Sequence, residues 1–211
     1  MARVSSLSEA AYRSSEAISD ALIAAGLAVS NEGYGGQDSG GPLLAAGYLP
    51  FDEKVRELAE GLDRLEQLKQ TARRVPIANP VPGASVTSGF GVRRDPILGR
   101  RAHHSGIDFR AKSGTSVSAA GGGVVVYAGW NGGYGRMVEI DHGNNFTTRY
   151  AHLSKILVKK GDAVENGAVI GRVGSSGRST GPHLHYEVRR NGKAVNPLPF
   201  ISAGTQIAEY L

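Results

Sequence analysis

Met137-Val-Glu-Ile-Asp-His-Gly-Asn-Asn-Phe-Thr-Thr-Arg-Tyr-Ala151 reads as two short strands, Met137–Asp141 and Phe146–Ala151, separated by turn-forming residues. Apolar residues alternate with polar ones on both sides of the turn, as half-buried strands require. Asp141 and Gly143 are turn formers, so His142 between them reads as a hairpin residue without a chemical role. Working outward, Ser85–Phe90, Val124–Ala128, Val169–Val173 and Leu184–Arg189 show the same alternation or a short β-rich run. Glycine, asparagine and aspartate separate them, and 30 glycines are too many for a helical protein. A weak repeat runs through this region: Ser113-Gly-Thr-Ser-Val117 precedes the strand at Val124, and Lys160-Gly-Asp-Ala-Val164 precedes the strand at Val169. Repeated strand-turn-strand units can stack, which predicts a mainly β fold, an antiparallel β-sandwich built on a duplicated hybrid-like motif.

The first third of the chain has a different pattern. Leu7, Ala11, Ile18, Leu22 and Ala25 recur at helical spacing, and Gly26 can end the helix. Residues 31–50 are glycine-rich and read as a loop. Val55, Leu58, Leu62 and Leu65 predict a second helix from about Asp52 to Arg74, with a heptad seam too brief for a coiled coil. Pro76, Pro80 and Pro82 then stop it. The expected organisation is a helical segment with its loop over 1–75, a Pro-rich linker over 76–84, a β domain over 85–200 and a tail over 201–211.

Composition narrows the chemistry. The chain has 211 residues and no cysteine, so a bound metal must take nitrogen and oxygen ligands. Residues 1–75 carry 8 Lys/Arg against 11 Asp/Glu, and residues 76–211 carry 16 against 8. The basic half suits an anionic partner. No nucleic-acid motif or aromatic stacking platform accompanies it, so nucleic acid is not the expected partner. No apolar run approaches the roughly 18 residues of a membrane helix, and Met1 does not open a signal peptide. If the protein works outside the cytoplasm, its targeting or anchor segment is expected to have been removed or to lie outside this chain.

Two short motifs concentrate the remaining chemistry. His183 and His185 alternate on a strand and therefore stand on one face, with Leu184 and Tyr186 on the other. Gly181-Pro182 sets the entry to that strand. His104 and Asp108 are separated by Ser-Gly-Ile, a poor helical spacer, so a turn entering a strand is expected. There Gly106 permits an unusual backbone and Ile107 points to the core. His103 should face away. His152 ends the strand Phe146–Ala151, where Thr148, Tyr150 and His152 are expected to share a face. Three converging imidazoles or carboxylates with one open position are what a catalytic zinc ion needs.

His104-x-x-x-Asp108, Tyr150-Ala-His-Leu153 and His183-x-His185, in this order, resemble the LytM/lysostaphin-type zinc peptidoglycan endopeptidases. The resemblance spans residues 85–197 and includes Ser88-Gly-Phe-Gly-Val-Arg-Arg-Asp-Pro96, Tyr134-Gly-Arg-Met-Val-Glu-Ile-Asp-His-Gly143 and Val195-Asn-Pro197. It implies one Zn2+ per chain held by His104, Asp108 and His185, with His152 and His183 as catalytic partners. Either histidine could be the general base; the favoured reading has His183 as base and His152 as oxyanion stabiliser or proton donor. It implies peptidoglycan as substrate, at peptide cross-links or stem peptides of the D-alanyl-diaminopimelate type, and a periplasmic or envelope location. Arg93, Arg94, Tyr150 and Arg178 are candidates for substrate binding. A second reading, a non-catalytic envelope regulator that activates amidases, belongs to family members that have lost site residues; all five stand here. Residues 1–75 lie outside the resemblance, and autoinhibition, self-association and a plain spacer are open for them.

Overall fold

Asn144 and Asn145 both take left-handed backbone, with φ of 48° and 62°, and Gly143 pairs with Phe146 across them. This is the two-residue turn whose twist matches that of the strands it joins, and it sets the register of the central hairpin. The computed structural model describes residues 2–27, 29, 50–94 and 101–211. The glycine-rich stretch 31–50 lies, except for Pro50, outside them, as do Asp95–Arg100 and the side chain of Arg94. In chain order the strands are β1 (Ser85–Ser88), β2 (Gly91–Arg94), β3 (Arg101–His104), β4 (Ile107–Arg110), β5 (Ser116–Ser118), β6 (Gly123–Asn131), β7 (Gly135–Gly143), β8 (Phe146–Ile156), β9 (Ala163–Val164), β10 (Val169–Val173), β11 (His183–Arg190) and β12 (Lys193–Val195). The helices are α1 (Ala2–Ala24), α2 (Pro50–Arg74) and α3 (Leu198–Ile207).

The main sheet among the described residues runs β1-β4-β11-β8-β7-β6-β9, antiparallel at every pairing. The long strand β8 pairs with β7 and β11, and its C-terminal end also pairs with β10, which pairs with β5. Val117, Ile170 and Val173 of this branch join the same buried cluster as Val125, Ile140 and Leu184 of the main path. The antiparallel β architecture expected from the alternation is therefore present, with β8 shared by both parts. A separate ribbon, β2–β3, carries the approach to His104.

The expected boundaries at 76–84 and 201–211 meet a different packing. Ile77 and Val81 are 1% exposed, and the segment is stitched to the sheet by Ala78 N–H to Ala120 O at 2.9 Å and Ser118 N–H to Pro80 O at 3.0 Å. The prolines do stop α2, but the apolar residues between them are core. The tail is a helix, α3, whose Phe200, Ala203 and Ile207 are buried at helical spacing. Gly204 admits this packing, because a Cβ there would lie 2.1 Å from the Ile77 carbonyl oxygen. Leu68 and Ala72 of α2 and Ile18 and Leu22 of α1 enter the same cluster, whereas Val55 and Leu62 of the brief heptad seam are exposed. Helices and sheet share one core.

Candidate metal centre

The register between β4 and β11 sets Asp108 opposite His185 and Arg110 opposite His183. Alternate strand residues share a face, so Asp108, Arg110, His183 and His185 project together while Leu184 and Tyr186 are fully buried on the other side. Gly106, between His104 and Asp108, has ordinary backbone. Its role is close approach, since a Cβ there would lie 2.2 Å from the Tyr186 carbonyl oxygen. This replaces the expectation of an unusual conformation. β4 thereby closes on β11 directly beneath the site.

His104 Nε2 lies 3.1 Å from His185 Nδ1, and both nitrogens approach Asp108 Oδ1, at 3.1 and 3.0 Å. The other ring nitrogens are committed elsewhere. His104 Nδ1 donates to the Gly89 carbonyl at 2.7 Å, and His185 Nε2 donates to Glu187 Oε1 at 3.1 Å. These acceptors fix the tautomers. Three lone-pair-bearing atoms then converge with no proton between them, an arrangement that requires a cation or an added proton. Burial lowers the His185 pKa, but hydrogen bonds to Asp108 and Glu187 more than reverse this and raise it. Burial raises the pKa of Asp108, yet the bonds from His104 and His185 hold it well below the usual carboxylate range. The three ligand atoms lie within 4.8 Å of one another. Two imidazole nitrogens and a carboxylate oxygen, buried and oriented from behind, fit a zinc ion with a further position open.

Two more imidazoles border the cluster. The rings of His152 and His183 are 4.8 Å apart, and His152 lies 5.9 Å from the ring of His185. His183 Nδ1 donates to the Gly181 carbonyl and His152 Nδ1 to the Ser176 carbonyl, each at 2.8 Å. Both therefore present an Nε2 lone pair. In the neutral state both rings start as acceptors at Nε2, so His152 would donate to an oxyanion only after taking up a proton. Burial is the main cause that pushes the His152 pKa down to about 4, against the raising effect of its bond to Ser176.

His152 reaches the site by a route that alternation does not predict. Between Tyr150 and Leu153, β8 has one residue more than β7 has between Val138 and Arg136, a bulge, and His152 adopts φ of 60°. Bulges re-aim side chains in this way. Thr148 and Tyr150 face the core, with their hydroxyls 3.0 Å apart and the Ala120 N–H donating to Tyr150 at 2.8 Å. Tyr150 is 0% exposed, so the sequence-based assignment of Tyr150 to substrate binding is corrected: its side chain is structural.

Arg93 and Arg178 line a cleft of about 470 Å³ that opens beside Asp108 and His183. Arg93 Nη2 is 3.5 Å from Asp108 Oδ2. Arg110, overlooked in the sequence, lines the same cleft. Glu187 was overlooked too, although its spacing of two from His185 puts it on the same strand face. Glu187 is fully buried and accepts from Ser105, from the Tyr134 hydroxyl at 2.8 Å and from Arg189 at 2.7 Å besides His185. Burial raises its pKa, but these donors, His185 foremost, lower it to about 2. His103 is exposed with its ring edge-on to Phe90. His142 is buried in β7, with Nδ1 donating to the Gly122 carbonyl at 2.8 Å and Nε2 2.7 Å from the Thr148 hydroxyl. Neither enters the site, as expected.

Residues 102–197 match the family described as Peptidase family M23. The peptidoglycan DD-endopeptidase ShyA of Vibrio cholerae is 49% identical over 114 residues, covering 54% of this chain and 26% of that protein. Among solved structures, a zinc-containing peptidase from Vibrio cholerae superposes with a TM-score of 0.54 at 40% identity, covering 56% of this chain and 38% of that one. The catalytic domain of the antimicrobial peptidase lysostaphin from Staphylococcus simulans gives a TM-score of 0.53 at 36% identity, covering 58% of this chain and 95% of that one. The chain spans about a quarter of the length of the curated relatives it matches.

Proposed function

The chain belongs to peptidase family M23, and from that membership we propose that it is a zinc-dependent endopeptidase acting on peptide cross-links or stem peptides of peptidoglycan, at D-alanyl-diaminopimelate bonds. The observation that carries this reading is the convergence of His104 Nε2, His185 Nδ1 and Asp108 Oδ1, with the other ring nitrogens of His104 and His185 held by Gly89 and Glu187, flanked by the Nε2 edges of His152 and His183. His104, Asp108 and His185 would hold the ion, and the single such cluster among the described residues supports one per chain. When bound, zinc lowers the pKa of water to about 7 and polarises a carbonyl.

The chain's own residues supply the rest. His183 takes the proton from the attacking water, its ring held by the Gly181 carbonyl. His152, neutral at pH 7 because of its burial, is a second acceptor and becomes a donor only once a proton reaches it. Glu187 keeps the proton of His185 on Nε2 and so leaves Nδ1 for the metal. Peptidoglycan as substrate implies work in the periplasm or envelope. Residues 1–75 contribute to the common core, which supports a structural role for α1 and α2 ahead of a tether.

Mass analysis of muropeptides released from purified sacculi, with zinc and with chelator, tests the reading. Zinc-dependent conversion of cross-linked dimers to monomers is expected. Intact dimers after incubation with zinc-loaded, folded protein would reject it and favour the non-catalytic regulator.

A further inference from the structure

Tyr134 contributes no ligand atom, yet its side chain reaches the carboxylate that orients one. The stretch Asn131-Gly-Gly-Tyr-Gly135 turns tightly at the end of the β6–β7 hairpin. Gly132–Tyr134 form a 3-10 turn, the Gly135 N–H bonds back to the Gly132 carbonyl, and Asn131 pairs with Gly135. Gly132 and Gly135 take φ of 43° and 66°, the left-handed region that glycine enters without strain. So short a turn leaves the tyrosine backbone little freedom. Three contacts then fix its half-buried side chain. The hydroxyl donates to Glu187 Oε1 at 2.8 Å, the ring centroid lies 5.8 Å from that of His185, and the Arg149 guanidinium carbon stands 5.7 Å over the ring. Arg149 is itself held by Glu139 at 2.9 Å and lies 3.9 Å from Glu187 Oε2.

Glu187 Oε1 is also the atom that accepts from His185 Nε2, at 3.1 Å. Bonds from Tyr134 and from His185 therefore end on one oxygen, and that carboxylate is fully buried. The anchoring matters in two ways. An oxygen held from a second element cannot turn away from the imidazole it orients. Water that reached it would compete for the same lone pairs and give His185 a mobile acceptor, and a buried hydrogen bond keeps its strength only where that competitor is excluded. Ser105 and Arg189 also donate to Glu187. A hydroxymethyl group is too small to cover the carboxylate, however, and Arg189 engages the other oxygen.

We infer that Tyr134 is a positioning residue for the metal centre: acting through Glu187, it keeps the His185 Nε2–H bonded to the carboxylate and so holds Nδ1 toward the ion. The inference rests on the zinc-centre reading and deepens it, because it ties the tautomer of one ligand to a residue of the β6–β7 turn.

Tyr134→Phe keeps the ring, fits the same space and removes only the bond. Zinc affinity of the full chain, measured by competition with a chromogenic chelator, falls at least about tenfold. In a Glu187→Ala background the same substitution changes affinity by less than about twofold, the non-additivity of two residues that act through one contact. A side chain that merely supports the fold gives equal losses in both backgrounds. Nitrogen-15 spectra of labelled histidines in the zinc-loaded full chain need neither turnover nor the Glu187 variant: the His185 Nε2 proton is observed in wild type and lost to solvent exchange in Tyr134→Phe. Wild-type zinc affinity in Tyr134→Phe, additive losses in the two backgrounds, or an equally protected His185 Nε2 proton overturns the inference. Sacculi left uncut by wild type that binds zinc would instead remove the endopeptidase reading and leave the positioning role standing.

Discussion

His185 uses both of its ring nitrogens, and Glu187 holds the one that faces away from the metal centre. The carboxylate is buried and shared among Ser105, Tyr134, Arg189 and His185, so removing it frees the imidazole to exchange tautomers and leaves buried donors unpaired. Glu187→Ala is expected to weaken zinc binding by about 10–100-fold, measured by competition with a chromogenic chelator; wild-type affinity would show that His185 is oriented by packing alone. His152→Ala behaves differently. Its ring touches the site without contributing a ligand atom, so zinc should stay while muropeptide release falls by about 10²–10⁴-fold. Undiminished release would make His152 structural. At this scale sequence spacing goes far. His104, Asp108, His152, His183 and His185 could all be picked out because two of the motifs are short and strand periodicity orients a pair. Arg110 escaped because its place beside His183 comes from register across β4 and β11, which no local pattern encodes, whereas Glu187 stood two residues from His185, in a spacing the strand period does encode. Tyr150 was misread because the bulge at His152 breaks the alternation that would have put the two side chains on one face.

Two glycine-rich segments lock against each other to build the wall behind His152. A Cβ on Gly177 would lie 2.4 Å from the Gly135 nitrogen and 2.6 Å from the Gly133 carbonyl oxygen, and Gly177 itself has φ of 71°. The neighbouring Ser176 carbonyl is the acceptor that holds His152. Gly177→Ala therefore combines a left-handed strain with a backbone clash, and the loop must move away from the start of β7. The expected outcome is a kcat/KM loss with zinc affinity retained, because His104, Asp108 and His185 belong to other elements. Parallel chelator titration and peptide hydrolysis separate the two quantities, and equal loss of both would mean that the wall also supports the ligands. The elements themselves were unevenly readable. β6, β7, β8, β10 and β11 have 5 to 11 residues, long enough to display alternation. β2, β3, β4, β5, β9 and β12 have 2 to 4, and so short a run carries no period of its own. Their strand state is imposed by the neighbour they pair with.

Among the described residues the helices and the sheet share one core, and the protein's pH response should expose that core's polar part. Prolines at 76, 80 and 82 marked a boundary in the sequence, but proline reports backbone geometry and says nothing about Ile77 and Val81, which are buried against α3 and the sheet. The long-range contact, not the local conformation, decides that the segment is core. His142 belongs to the same interior. It is 5% exposed, bonded to the Gly122 carbonyl and the Thr148 hydroxyl, and burial lowers its pKa below the ordinary 6.5, against smaller raising effects from Gly122 and Asp141. A histidine kept neutral in the fold takes up a proton more readily when the chain is unfolded. Its stabilising contribution is therefore full above pH 6.5 and declines as pH falls below it toward the depressed folded value. His152 acts with the same sign, while the raised pKa of His185 acts oppositely, so the total slope mixes several groups. Comparison with His142→Gln, which keeps a donor and an acceptor, isolates one of them. Urea unfolding at pH 7.5 and 5.5 should show wild type losing more stability than the variant over that interval, by at most about 1.4 kcal/mol per pH unit for a single proton. Parallel pH dependences would mean that His142 is protonated equally in both states, and that its position between Gly122 and Thr148 does not exclude the charge.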